Sequence, residues 1–306
     1  MISVVIPCYN QAHFLAEAIE SVLAQTRPAD EIIIVDDGSP DDSAQVAVRY
    51  PHVRLIRQQN QGLSAARNRG LRESHGAYLV FLDADDRLTP QALAIGLHYL
   101  HAHPDCVMAA GHYRNIAADG TPLPTPVQRV VEKDHYAELL RGGGGIWAVA
   151  AVLYRRTVFE AVTGFDPQRT SCEDYELYLR IARRFPICCH DHIIMEYRQH
   201  PSGMSRNAAR MLRNAMAVLR AQRAYVRAHP AYAGAYREGW HRTQYYYGEQ
   251  VVSSLCGMLR EGQWQQAASD LVTLARYYPQ AIPKHLTVKL SCLARRIGAG
   301  LRLKKL

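Results

Sequence analysis

The chain opens on an apolar run, Ile2-Ser3-Val4-Val5-Ile6, and Ser3 to Pro7 reads as a strand. Phe14, Leu15, Ala18, Ile19, Val22 and Leu23 then fall at the spacing of one helical face, which predicts a helix over 14–25. Glu31 to Val35 is a second apolar strand, ending at Asp36-Asp37-Gly38-Ser39, a turn that can also cap a helix. A strand over Val53 to Arg57, a helix over Ser64 to Ser74 and a buried strand over Ala77 to Leu82 continue the alternation, and the last ends at Asp83-Ala84-Asp85-Asp86. Strands apolar on both faces, alternating with helices, predict an α/β fold: a mostly parallel sheet flanked by helices. In such sheets ligands bind beyond the carboxyl ends of the strands. Both acidic clusters, at 36–37 and 83–86, fall at those ends.

The pattern is less regular over 104–160, where Val107 to Gly111 and Ala148 to Tyr154 read as strands and Gly142 to Gly145 suits a close backbone approach. Glu173 to Arg183 is an amphipathic helix with Leu177, Leu179, Ile181 and Ala182 among charges. From residue 206 the pattern is wholly helical: a helix over Arg206 to Arg227, with its arginines on one side and Met211, Ala215, Val218 and Leu219 on the other, then Gln244 to Arg260 and Trp264 to Tyr278 as a hairpin turned at Glu261-Gly262. One such hairpin is too little for a helical repeat array.

Charge sharpens this division. Residues 1–205 hold 19 Lys and Arg against 24 Asp and Glu, whereas residues 206–306 hold 17 against 4. Two regions are therefore expected, 1–205 and a basic all-α extension over 206–306. Lys284 to Leu306 has seven basic residues, no acid and an apolar stripe of Leu286, Leu290, Leu293, Ile297 and Leu301. Such helices dock through their stripes on a domain or a second subunit, or lie on an anionic membrane surface. Nucleic acid is disfavoured because no recognition motif accompanies the charge. There is no apolar run long enough to span a bilayer and no leader-like segment ahead of the first strand, so a cytoplasmic protein is expected, with peripheral attachment to the inner membrane face as the alternative to docking. Seven cysteines without a CxxC pair read as small buried residues rather than as a disulfide or metal framework.

Three carboxylates on the turn at 83–86 repel one another unless something positive sits between them. Oxygen ligands on a short turn suit Mg²⁺ or Mn²⁺ completed by water and substrate phosphates, although a solvated loop capping the next helix has the same composition. A carboxylate at the end of the second strand can accept a uracil imide N–H or a ribose hydroxyl, or simply cap a turn. Tyr9, after the first strand, can pack on a flat base or in the core.

In combination these segments resemble glycosyltransferase family 2, inverting nucleotide-sugar enzymes of the GT-A fold. The resemblance rests on Val4-Val5-Ile6-Pro7-Cys8-Tyr9-Asn10, Ser21-Val22-Leu23-Ala24-Gln25-Thr26, Val35-Asp36-Asp37-Gly38-Ser39, Gln61 to Gly70 and Phe81-Leu82-Asp83-Ala84-Asp85-Asp86, in that order along residues 1–205. It implies a GT-A catalytic domain, a nucleotide-sugar donor, Mn²⁺ or Mg²⁺ as cofactor, and a glycan or lipid-linked acceptor in surface polysaccharide synthesis. Pro7, Tyr9, Asn10, Asp37 and Arg67 then match donor positions, Tyr9 and Asp37 those that read the base. Asp83, Ala84 and Asp85 match the DxD motif, with Asp83 on the donor side and Asp85 the metal ligand. Cys172-Glu173-Asp174-Tyr175 resembles the family's ED segment, making Asp174 the general base and Glu173 its orienting neighbour or a holder of donor hydroxyls. Gly164 and Phe165, with Trp147, are expected along the acceptor pocket. Tyr197-Arg198-Gln199-His200 resembles the family's final loop, with Arg198 on diphosphate and His200 on metal or phosphate.

No QxxRW segment of the processive synthases is present, which favours transfer of a single sugar per encounter. UDP is the preferred carrier because Asp37 suits uracil. A nucleotidyltransferase would carry a Gly-rich, basic-ended loop where Pro7-Cys8-Tyr9-Asn10-Gln11 stands, and a scaffold without catalysis would have no need of Asp85 and Asp174.

Overall fold

The computed structural model describes residues 1–142, 148–201 and 203–281. Trp147 and the basic helix expected over 284–306 lie outside the described residues. Eight strands form one sheet in the order β3-β2-β1-β4-β7-β6-β8-β5. They are β1 (Ile2–Cys8), β2 (Glu31–Asp36), β3 (Val53–Arg57), β4 (Tyr78–Phe81), β5 (Arg87–Leu88), β6 (Met108–Ala117), β7 (Val152–Arg155) and β8 (Cys188–Gln199). The first four pair in parallel, as the apolar runs predict. Beyond β4 the sheet is mixed: β7 is antiparallel to β4 and β6, β6 and β8 are parallel, and β5 is antiparallel to β8.

Ten helices accompany it among the described residues: α1 (Ala12–Leu23), α2 (Ser43–Ala47), α3 (Leu63–Glu73), α4 (Ala92–Ala102), α5 (His135–Leu140), α6 (Val158–Ala161), α7 (Glu173–Ala182), α8 (Ala208–Ala228), α9 (Ala233–Arg260) and α10 (Trp264–Tyr277). Every residue of β1 is buried because alternate side chains enter two different cores. Val4 and Ile6 pack with Leu15, Ile19 and Val22 of α1, whereas Val5 packs on the other face with Ile33, Val35 and Ala66 of α3.

Three differences from the sequence reading stand out. Ala148 to Tyr154 is not one strand, for Val149–Ala151 forms a 3-10 turn before β7. The strand begun at Val107 runs on to Ala117, and Tyr197 to Gln199 belong to the end of β8 rather than to a loop. Both long strands carry polar side chains (His112, Arg114, His190, Asp191, His192), which breaks the apolar run that marks buried strands.

The helical region packs against the sheet domain through α8. α8 joins two cores: Ala215, Val218, Leu219 and Val226 pack with Val5, Leu177 and Tyr178, whereas Leu212 and Met216 pack with Val251 of α9 and Leu274 of α10. α9 meets α5 with no clearance: a Cβ on Gly239 would lie 1.6 Å from the Leu140 carbonyl oxygen. Gly257, further along α9, has nothing within 4 Å of its Cβ position.

Gly239→Ala is therefore expected to destabilise the fold by roughly 1–3 kcal/mol through overpacking. Gly257→Ala should stabilise it by about 0.5–1 kcal/mol through helix propensity. Urea denaturation midpoints of the two variants should move in opposite directions.

Candidate active site

The carboxyl ends of β1, β2 and β4, the start of α7 and the first turn of α8 enclose a cleft of about 550 Å³. Pro7, Tyr9, Asp37, Arg67, Asp83, Ala84 and Asp85 line its sheet side, and Glu173 and Asp174 its helix side. The end of β1 is tied to that of β2 by the Asn10 N–H, which donates to Ser39 Oγ at 3.1 Å. This closure needs Asn10 in the left-handed region, φ 55°, which asparagine tolerates. Asn10 itself is exposed outside the cleft lining, whereas Tyr9 is in the lining and 49% exposed, with its ring face available to a flat ligand.

Asp37 is 2% exposed. Its Oδ1 accepts from Gln58 Nε2 at 2.8 Å and Gln61 N–H at 2.9 Å, and its Oδ2 accepts from Gly62 N–H at 2.8 Å. The carboxylate thus fixes the loop entering α3 and keeps one lone-pair direction to spare. Asp36, behind it, accepts from Ser39 N–H at 2.9 Å and Arg57 Nε at 3.0 Å.

The centre of the site is Arg67, 1% exposed on α3. Its Nη2 donates to Asp83 Oδ1 and its Nη1 to Glu173 Oε1, both at 2.6 Å. Burial opposes the guanidinium charge, but the two acids beside it hold its pKa above the ordinary arginine value. Phe165 supports the group from below, its ring centroid 5.1 Å from Arg67 Cζ. Gly164 and Phe165 therefore do not line the acceptor side as expected. Phe165 is 2% exposed, its backbone is bracketed by Asn68 at 2.7 and 2.8 Å, and its ring meets Phe81 at 4.9 Å. An aromatic in a glycine-flanked turn reads as pocket lining, but here it is the apolar floor under a buried charge.

Asp174 is half-buried at the start of α7, next to Glu173. Cys172, just before it, is held at φ 61°, an unfavourable conformation for a residue with a Cβ, and this turns the first helical residues into the cleft. Burial pushes the Asp174 carboxyl up to about 7; Glu173 adds to the rise, and Arg67 opposes it. A carboxyl poised near neutrality in a cleft can take up or release a proton at physiological pH.

On the opposite side, His200 Nε2 lies 2.9 Å from Asp85 Oδ2. Among the described residues no group of three or more His, Cys, Asp or Glu side chains is placed to hold a metal ion by itself. Asp85 and Asp83 nevertheless suit Mg²⁺ or Mn²⁺ of the kind that takes one or two protein carboxylates and draws its other ligands from water and substrate oxygens. Asp86 is buried, and the Arg198 N–H donates to its Oδ1 at 2.8 Å. Burial, with Asp85 and Asp83 alongside, holds its carboxyl well above the usual range. Asp86 thereby pins the end of β8 to the acidic turn.

Arg198, expected on diphosphate, spends its guanidinium on the protein: Nε on the Asp85 carbonyl at 2.7 Å, Nη1 on the Ala118 carbonyl at 2.7 Å and Nη2 on Glu17 at 2.7 Å. Arg210, in the first turn of α8, lines the same cleft. Nothing in the sequence separates it from Arg213 or Arg220; only the docking of α8 brings it to the site.

The profile of a family described as Glycosyl transferase family 2 matches residues 3–163. The chain is similar to the uncharacterized glycosyltransferase EpsJ of Bacillus subtilis, 32% identical over 67% of this chain and 63% of that one. It is also similar to a putative teichuronic acid biosynthesis glycosyltransferase, TuaG, of the same species, 34% identical over 40% of this chain and 50% of that one. The chain thus spans less than two thirds of the length of these relatives. Among solved structures, S. aureus TarS 1-349 superposes with a TM-score of 0.65 at 16% identity, covering 91% of this chain and 81% of that one. The same protein in complex with UDP-GlcNAc gives 0.60 at 17%, over 71% and 65%.

Removing Arg67 would leave the buried Glu173 and the half-buried Asp83 without their cation. Arg67→Met is expected to lower stability by roughly 3–5 kcal/mol. Arg67→Lys should recover part of that, because a single ammonium cannot span both acids. Chemical denaturation at pH 7 checks both.

Proposed function

The chain belongs to glycosyl transferase family 2, and on that premise we propose that it moves a single sugar from a nucleotide-diphosphate donor to an acceptor hydroxyl, with inversion, in the synthesis of a surface polysaccharide. The observation that carries this reading is the Arg67 bridge, which sets the Asp83 turn and the Glu173-Asp174 helix start on facing sides of one cleft. A transfer with inversion needs that opposition: the leaving group departs on one side while a base works on the other.

The donor nucleotide lies over the end of β1, its base against Tyr9 and its polar edge toward the remaining lone pair of Asp37. A uracil offers the imide N–H that such an acceptor takes, and the UDP-GlcNAc complex of the TarS structure supports a uridine carrier. Arg210 is the cleft arginine placed to meet the diphosphate. Asp85 and Asp83 would hold Mn²⁺ or Mg²⁺, with His200 beside them; when bound, the ion neutralises charge on the leaving diphosphate. Asp174, as a carboxylate, accepts the acceptor hydroxyl proton. The oxygen then bonds to the anomeric carbon as the bond from that carbon to the diphosphate oxygen breaks, and Glu173 keeps Asp174 oriented through its hold on Arg67. A relative named for teichuronic acid biosynthesis, together with the basic helical extension, supports an acceptor carried on a glycan or a lipid.

Asp174→Asn is expected to lower transfer by about 10²–10⁴-fold while leaving UDP affinity within a factor of about two. Transfer at wild-type pace in that variant would remove Asp174 as the base. Because burial raises this carboxyl to about 7, the carboxylate fraction grows as pH rises through that value. kcat/KM should therefore climb from pH 6 to pH 8 and flatten above. Chelation by EDTA should abolish release of UDP from UDP-sugars and added Mn²⁺ should restore it; turnover indifferent to both would exclude the cation.

A further inference from the structure

The Asp174 wall of the cleft has a second side. Cys172, Asp174 and Met211 line both the donor cleft and another cavity of about 370 Å³. That volume lies in the range of small-ligand sites. The cavity is walled by five tyrosines, Tyr113, Tyr175, Tyr178, Tyr246 and Tyr247, and Arg242 of α9 also lines it. Several of these rings are fixed. Tyr175 donates its hydroxyl to the Leu139 carbonyl at 2.9 Å, and Tyr113 stands edge-on to Tyr197 at 5.9 Å. Tyr246 stands edge-on to Tyr247 at 5.0 Å and is 59% exposed.

Arg242 is exposed, and among the described residues its guanidinium has no hydrogen bond or ion pair. Arg141, which shares with Arg242 the lining of an adjacent polar cavity, is by contrast paired with Glu138 and, at 3.3 Å, with Glu238. Rigid aromatic faces take the C–H face of a sugar ring, and an unpaired guanidinium takes a carboxylate or phosphate through two parallel hydrogen bonds.

We propose that this cavity is the acceptor subsite and that its occupant is a saccharide carrying an anionic group, its ring on the tyrosines, its anion on Arg242 and its reacting hydroxyl at Asp174. The inference rests on the transfer reaction proposed above and adds the chemical class of its acceptor. The anion is either a uronate carboxylate within a glycan or the phosphate that joins a sugar to a carrier. Both chemistries suit one guanidinium.

The test titrates the full chain, saturated with UDP to fill the donor cleft, with three probes: cellobiouronic acid, N-acetylglucosamine 1-phosphate and neutral cellobiose. At least one anionic probe is expected to bind about tenfold tighter than cellobiose. Which of the two does so identifies the source of the charge. Arg242→Gln should erase the preference, Arg242→Lys should restore part of it, and Arg220→Gln, on the solvent side of α8, should leave it intact. Tyr246→Ala should weaken all three probes alike. Equal affinity for all probes, no binding by any of them at millimolar concentration, or a preference unmoved by Arg242→Gln would overturn the proposal. The initial UDP saturation reads the parent reaction separately: a chain that binds UDP but ignores Arg242 loses only the acceptor assignment, whereas one that binds no UDP loses the donor reading.

Discussion

A single buried cation organises the catalytic half of this protein. Arg67 sits between the half-buried Asp83, at the end of a central strand, and the buried Glu173, at the start of a helix 106 residues after the arginine, and Glu173 could not be buried as a carboxylate without it. The sheet and α7 are thereby forced into one geometry at the point where chemistry is required. Phe165, its backbone held by Asn68, lies against the guanidinium, and Arg67 is left 1% exposed. An ion pair of this kind gives little net stability over an apolar replacement, but it fixes a relative position.

The same logic runs outward from the centre. Asp86 and Arg198 lock the end of β8 to the acidic turn, Asp37 locks the loop before α3, and Ser39 with Asn10 locks the end of β1 to that of β2. Each uses a charged or polar side chain on a backbone group, so the cleft is built by anchoring loops rather than by exposing them. Tyr9, Asp37, Asp174, Arg210 and Arg242 keep capacity to spare, and the proposals above assign each of them to a ligand.

Much of the first half was legible in the sequence because its strands are buried on both faces. A run such as Glu31 to Val35 has few other readings, and the acidic turns follow from where those strands end. Order along the chain then sufficed to relate residues 1–205 to a family. The second half was less legible for physical reasons: β6 and β8 pair with each other and carry histidines and charges, so no apolar run announces their length. Phe165 looked like a pocket residue because its role depends on an arginine some hundred positions earlier in the chain. The protein partners of Arg198 and the approach of Arg210 to the cleft were not legible, because side-chain partners, not residue type, decide which arginine remains available, and the docking of α8 is a long-range event.

The contact between Gly239 and the Leu140 carbonyl has a consequence for how such proteins can be recombined. A chimera that kept residues 1–205 and took its helical extension from a relative would place a foreign side chain against α5 unless that relative also had glycine at this position. The segment that such a chimera would have to carry over is therefore the helical extension together with α5, which begins at His135.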